Sequence, residues 1–190
     1  MRVGRSVLPL LPGVFMDVPQ SGKIILVLGG ARSGKSVFSE SLAISSCLER
    51  HYIATSQPFD DEMQTRIAQH KEQRGDGWMT HEVPVDLPEA IGDVDAGDRV
   101  ILVDCLTLWL SNLMMAERDV QGEGERLAGA LREIRGQVIL VSNEVGLGIV
   151  PDNKMARQFR DHAGRLHQQI ASIADEVYFV AAGLPLKMKG

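Results

Sequence analysis

Cysteine is nearly missing from this sequence. Only Cys47 and Cys105 occur in 190 residues, far apart and without CxxC or Cys/His spacing. That excludes a disulfide scaffold and a cysteine-ligated metal site, and both thiols are expected to be reduced and mostly buried in a cytoplasmic protein. Positive charge is not in excess either: 20 Lys and Arg against 25 Asp and Glu give a net charge of −5. No block of about five like charges occurs, so the basic footprint of a nucleic-acid or membrane-surface binder is absent. No segment approaches the ~18 uninterrupted apolar residues of a membrane span. Internal repeats, low-complexity tracts and interdomain linkers are lacking as well. What is there suits one domain, with 44% hydrophobic and 24% charged residues, long enough to bury roughly two-thirds of its unfolded surface.

The start, MRVGRSVLPLLPGVFMDVPQSG, imitates a signal peptide, but two prolines interrupt its apolar run and no small-residue cleavage site follows. Residues 1–22 are read as a poorly ordered extension, with Met16 as an alternative start, and residues 23–190 as the domain. Within that domain continuous apolar runs recur at Ile24–Leu28, Tyr52–Ala54, Val100–Val103, Val138–Val141 and Val177–Val180. Such runs suit parallel strands buried on both faces. Helical patterns lie between them at Ser36–Leu48, Asp61–Arg74, Leu106–Met115, Glu123–Ile134 and Asn153–Ile173. In the last, Met155, Phe159, Ala163, Leu166, Ile170 and Ile173 follow a 3.6-residue period, leaving Arg157, Arg160 and Gln168 off the stripe. The alternation predicts an open, mostly parallel α/β sheet with helices on both faces. Gly92–Asp98 reads as a loop.

The first strand runs straight into GGARSGKS, residues 29–36, which completes the pattern G-x4-G-K-S between a strand and a helix. Glycines let the backbone turn its N–H groups onto phosphate oxygens, and the helix N-terminus adds about half a positive charge. Lys35 is expected to reach the β- and γ-phosphates, and Ser36 to ligate Mg²⁺. Asp104 ends the run Val100–Val103, where a neighbouring strand would deliver a carboxylate to that metal; the alternative is a cap for the following helix. These residues alone leave kinase, switch GTPase and ATPase open.

A second cluster lies in IATSQPFDDEMQTRIAQHKEQR, residues 53–74. Met63, Ile67, His70 and Arg74 share one helical stripe, with Arg66 and Lys71 alongside. Taken alone, His70 reads as a boundary residue. Three nearby cations make it an imidazole in an anion site, and a neutral imidazole can attack phosphorus to form a phosphoramidate. A third segment begins at Asn143 and Glu144, where Gly146 and Gly148 mark a loop at the ligand-binding edge of an open sheet; a structural turn is the alternative there.

GGARSGKS, IATSQ with DDEM, RI, HK and R, the W-x-T-x-E of Trp78 to Glu82, and NEVG-x-GIVP with ARxFRD occur here in one order. Together they resemble the bifunctional adenosylcobinamide kinase/adenosylcobinamide-phosphate guanylyltransferases over residues 23 to 189. The resemblance implies a P-loop NTPase-like fold and two reactions of cobalamin biosynthesis. A nucleoside triphosphate, ATP or GTP, phosphorylates adenosylcobinamide; GTP then guanylylates a histidine, and GMP passes to the corrinoid phosphate. By the same resemblance His70 is the guanylylated residue. Gly29, Gly30, Ala31, Arg32, Ser33 and Gly34, with Lys35 and Ser36, hold the triphosphate. Ala54, Thr55 and Ser56, together with Lys71, Glu72, Gln73 and Arg74, contact GTP, while Glu82 and Asp104 lie near the nucleotide. A homotrimer with sites between subunits is implied too. Gln69 stands where some relatives have a second histidine, Asp104 where others have Glu, and His167 where Asn is expected. A guanine-reading NKxD motif, which a GTP switch would need, is absent.

Overall fold

The computed structural model describes residues 22–57 and 76–190. The first element, β1 (Lys23–Gly29), leads into α1 (Lys35–Ser45) and β2 (Glu49–Ala54). After the crossover come β3 (Trp78–Glu82), α2 (Leu87–Val94) and β4 (Arg99–Asp104). Two helices, α3 (Leu106–Met115) and α4 (Val120–Arg132), precede β5 (Gln137–Asn143). The chain then runs through α5 (Lys154–Ile173) into β6 (Glu176–Ala181) and β7 (Leu184–Lys189). The strands form one seven-stranded sheet in the order β3-β2-β4-β5-β1-β6-β7. Every neighbouring pair is parallel except β6 with β7.

Apolar continuity in the central strands follows from cover on both faces. On one face Ile25, Val27, Tyr52, Leu102, Ile139 and Val141 pack against Phe38, Leu42 and Ala43 of α1. On the other, Ile53, Ile101, Val103 and Leu140 meet the remaining described helices through Leu87, Ile91, Trp109, Leu113, Leu127 and Ile170. Trp109 is fully buried, and cutting it to alanine is expected to cost about 3–5 kcal/mol.

The expected open α/β sheet is present, and it is larger than the apolar runs suggested. Both edge strands were missed because edges need no apolar run: β3 is mostly exposed and β7 exposed throughout. Pro185, Lys187 and Lys189 blunt the β7 edge against further pairing. The first part of Gly92–Asp98 belongs to α2, whose Leu87, Ile91 and Val94 form a buried stripe, so only the remainder is loop. Met155 is exposed rather than on the buried face of α5. Cys105 is buried as expected, but Cys47 is exposed, in the turn between α1 and β2. The helix expected over 61–74 and the extension lie outside the described residues, although Gly22 already donates to the Ile134 carbonyl at 2.8 Å.

Candidate functional site

A parallel sheet brings all its strand carboxyl ends to one edge, where open α/β folds bind ligands. Here those ends are Gly29, Ala54, Glu82, Asp104, Asn143 and Ala181. Ala54 lies opposite both Glu82 and Asp104, and Gly29 opposite Asn143. Residues far apart in sequence thus share one rim.

Between β1 and α1 the chain folds over this rim. Gly34 has φ 93, a left-handed conformation that glycine adopts without penalty. A Cβ on Gly29 would lie 2.5 Å from the Val180 carbonyl and 2.6 Å from Ser33 Oγ, so only glycine fits under the loop. The loop is braced from the far end of the chain: Gly183 N–H donates to the Ser33 carbonyl at 2.8 Å. Gly183 and Ala182, with φ 78 and 52, form the two-residue turn joining β6 to β7, in the manner of a type I′ hairpin. Helix α1 starts with no side-chain cap and no acidic residue in its first turn. Its first amides are thereby left for an anion. Lys35 curls back so that Nζ donates to the Gly30 carbonyl at 3.2 Å.

Asp104 is held from the side. Tyr52, almost fully buried, donates its hydroxyl to Asp104 Oδ2 at 2.9 Å. The Tyr52 ring meets Trp78 edge-on, with centroids 6.1 Å apart, and the Arg50 guanidinium lies 5.6 Å from the Trp78 ring. Helix α3 begins after Cys105 with no side-chain cap, so Asp104 does not serve as the alternative helix cap. Burial, with Asp104 next to it, pushes the Cys105 thiol up to about 11, which keeps it neutral and unreactive.

Thr55, expected at the nucleotide, is fully buried. Its hydroxyl donates to the Cys105 carbonyl and accepts from Cys105 N–H, each at 2.8 Å. Its side chain ties the ends of β2 and β4 together. Asn112, buried on α3, donates to the carbonyls of Thr55 at 2.7 Å and Pro84 at 2.9 Å. It pins the exits of β2 and β3 at once.

A buried polar chain closes the other side of the rim. Ser142 Oγ is 2.7 Å from His167 Nε2 and 3.1 Å from Thr107 Oγ1, which accepts from Asn143 N–H at 2.7 Å. Glu144 lies 3.9 Å from His167 Nδ1, and its own N–H donates to the Gly29 carbonyl at 3.0 Å. Burial lowers the His167 pKa, and Glu144 offsets part of that shift.

Gly29 to Ser36, Ala54, Thr55, Ser56, Glu82 and Asp104 thus gather at one edge. His70, Lys71, Glu72, Gln73 and Arg74 lie outside the described residues. Tyr52, Asn112 and Gly183 were not found from sequence. Tyr52 and Ala54 have the same parity on β2, which places Tyr52 beside Asp104, but that register is invisible without the pairing.

The molecule is a P-loop nucleotide-binding α/β protein. Within that class, residues 25–188 match the family model described as cobinamide kinase / cobinamide phosphate guanyltransferase, and the chain belongs to that family. It is 48% identical over 167 residues to the bifunctional adenosylcobalamin biosynthesis protein CobP of Pseudomonas aeruginosa, covering 87% of this chain and 96% of that one. To the corresponding CobU protein of Salmonella typhimurium it is 43% identical over 181 residues, covering 87% and 99%. The flagellar accessory protein FlaH of Methanocaldococcus jannaschii shares the fold alone, with a TM-score of 0.51 at 14% identity, covering 89% of this chain and 79% of that one.

Proposed function

We propose that this chain phosphorylates adenosylcobinamide with a nucleoside triphosphate and then transfers GMP from GTP to the product through a guanylyl-histidine at His70. The observation that carries the reading is the shared rim, where the Gly29–Ser36 loop, Asp104 and Glu82 stand at the carboxyl ends of parallel strands of one sheet, with β5 between the first two and β2 between the last two. The loop amides and the α1 N-terminus take phosphate oxygens, and Lys35 exchanges the Gly30 carbonyl for the β- and γ-phosphates. Among the described residues no cluster of three or more His, Cys, Asp or Glu could hold a metal. Mg²⁺ needs none here, because it is commonly held by one or two carboxylates plus substrate phosphates. Ser36 and Asp104 supply hard oxygen donors for it, and the ion, when bound, neutralises charge developing on the transferred phosphoryl group.

In the second reaction neutral His70 Nε2 or Nδ1 attacks the α-phosphorus of GTP and pyrophosphate leaves. A phosphate oxygen of the corrinoid then displaces the imidazole and takes the GMP. Lys71 and Arg74 offset charge on the nucleotide. No helix among the described residues is long and apolar enough to cross a membrane; a cytoplasmic homotrimer is part of this reading.

α-Labelled GTP with Mg²⁺ is expected to label the protein and release pyrophosphate without any corrinoid. The bond should be acid-labile and comparatively base-stable, because protonating a phosphoramidate nitrogen makes imidazole a good leaving group. His70→Ala should lose the label and keep kinase activity. Label that persists in that variant, or that comes only from the γ-phosphate, would leave a plain small-molecule kinase standing.

A further inference from the structure

Two polar side-chain atoms beside the phosphate loop are buried without any hydrogen-bond partner among the described residues: Ser33 Oγ and Asn143 Oδ1. Buried polar groups are nearly always paired, so an orphan at a ligand-binding edge calls for a partner that arrives with the ligand. The two lie close together. Ser33 Oγ sits over Gly29, 2.6 Å from where its Cβ would be, and Gly29 is the register partner of Asn143.

The alternation of β5 fixes the direction of Asn143. Ile139 and Val141 pack on the α1 face, so Asn143 projects to that face as well. Leu102 and Tyr52 place Asp104 on the same face, and β5 lies between β4 and β1. Asn143 therefore stands between the Asp104 carboxylate and the phosphate loop. Its backbone is anchored on both sides, by its N–H to Thr107 Oγ1 at 2.7 Å and by Glu144 N–H to the Gly29 carbonyl at 3.0 Å.

We propose that Asn143 is a catalytic residue of the phosphoryl transfer, in which the alcohol oxygen bonds to the γ-phosphorus, the bond from that phosphorus to the nucleoside diphosphate breaks and the hydroxyl proton passes to a phosphate oxygen. The Asn143 carboxamide N–H donates to the terminal phosphoryl group, and its Oδ1 orients the attacking alcohol by accepting its hydrogen bond. The assignment rests on the kinase reading above. It gives the site a means of telling a triphosphate from a diphosphate, because the carboxamide engages only the terminal group.

The test uses Asn143→Leu, which has nearly the shape of Asn, and Asn143→Asp, which keeps an acceptor and loses the donor. Affinities for β,γ-methylene-GTP and for GDP, each with Mg²⁺, are measured by calorimetry beside Tm and kinase turnover. In Asn143→Leu the triphosphate analogue should bind about tenfold more weakly while GDP stays within about twofold, and kinase kcat should fall by about 10²-fold. Tm should hold or rise, since an unpaired buried polar atom has been removed. Asn143→Asp should weaken the triphosphate analogue further still. Equal losses for both nucleotides, unchanged discrimination, or a fall in Tm in both variants would overturn the assignment while wild type binds the analogue and Lys35→Ala does not. Wild type that fails to bind the analogue would overturn the kinase reading, and this assignment with it.

Discussion

Tyr52 turns the Asp104 carboxylate, and the effect of removing its hydroxyl separates positioning from packing. Tyr52→Phe keeps the edge contact with Trp78 and loses the 2.9 Å hydrogen bond, so stability should fall by only about 1 kcal/mol. The Mg²⁺ concentration for half-maximal activity should rise several-fold, and further in Asp104→Asn; titrating activity with Mg²⁺ checks both. His167 adds a pH dependence. Its folded pKa is lowered from 6.5 by burial, so below about 6.5 the unfolded chain binds more protons and stability falls with acidification. His167→Asn should flatten part of that acid limb in Tm measured against pH. The placement of Lys35, Ser36 and Asp104 at the carboxyl-end rim was legible because each sits at the end or start of an element that a local pattern marks. Tyr52 and Asn112 were not, because each acts through a contact more than 50 residues away in sequence.

The β6–β7 hairpin is the element whose role sequence least suggests. Val177–Val180 reads as a strand, but Leu184–Lys189, exposed along its length, carries no apolar run, and its turn reaches the phosphate loop. Ala182 occupies a left-handed conformation at φ 52, which L-residues other than Asn and Asp resist by about 1–2 kcal/mol. Ala182→Asn would create Asn-Gly, the pair best suited to such a turn. Thermal unfolding should move up by about 1–2 °C. Gly183→Val should act in the opposite direction and weaken nucleotide binding as well, since the Ser33 brace goes with it. The period-two pattern of β3 was visible in W-x-T-x-E, yet its exposed residues gave no core signal.

On the scale of the molecule, a ligand that fills the rim bridges several strand ends and the N-terminus of α1, so binding should stabilise the whole domain. At a hundredfold excess over Kd, Mg²⁺–GTP contributes about 2.7 kcal/mol, or roughly 5–10 °C in Tm for a domain of this size. Lys35→Ala should lose most of that gain and about 10²-fold in turnover, both read in one melting and kinetic series. The sheet also keeps its two edges apart. Strands of this length put about 20 Å between the phosphate loop and the amino-terminal rim, where Cys47 is exposed while Cys105 is buried. A maleimide should therefore react with one thiol only, and a surface or fluorophore attached there would leave the nucleotide edge facing solvent. The wild-type chain comes with its own handle for oriented immobilisation, without any cysteine having to be added or removed.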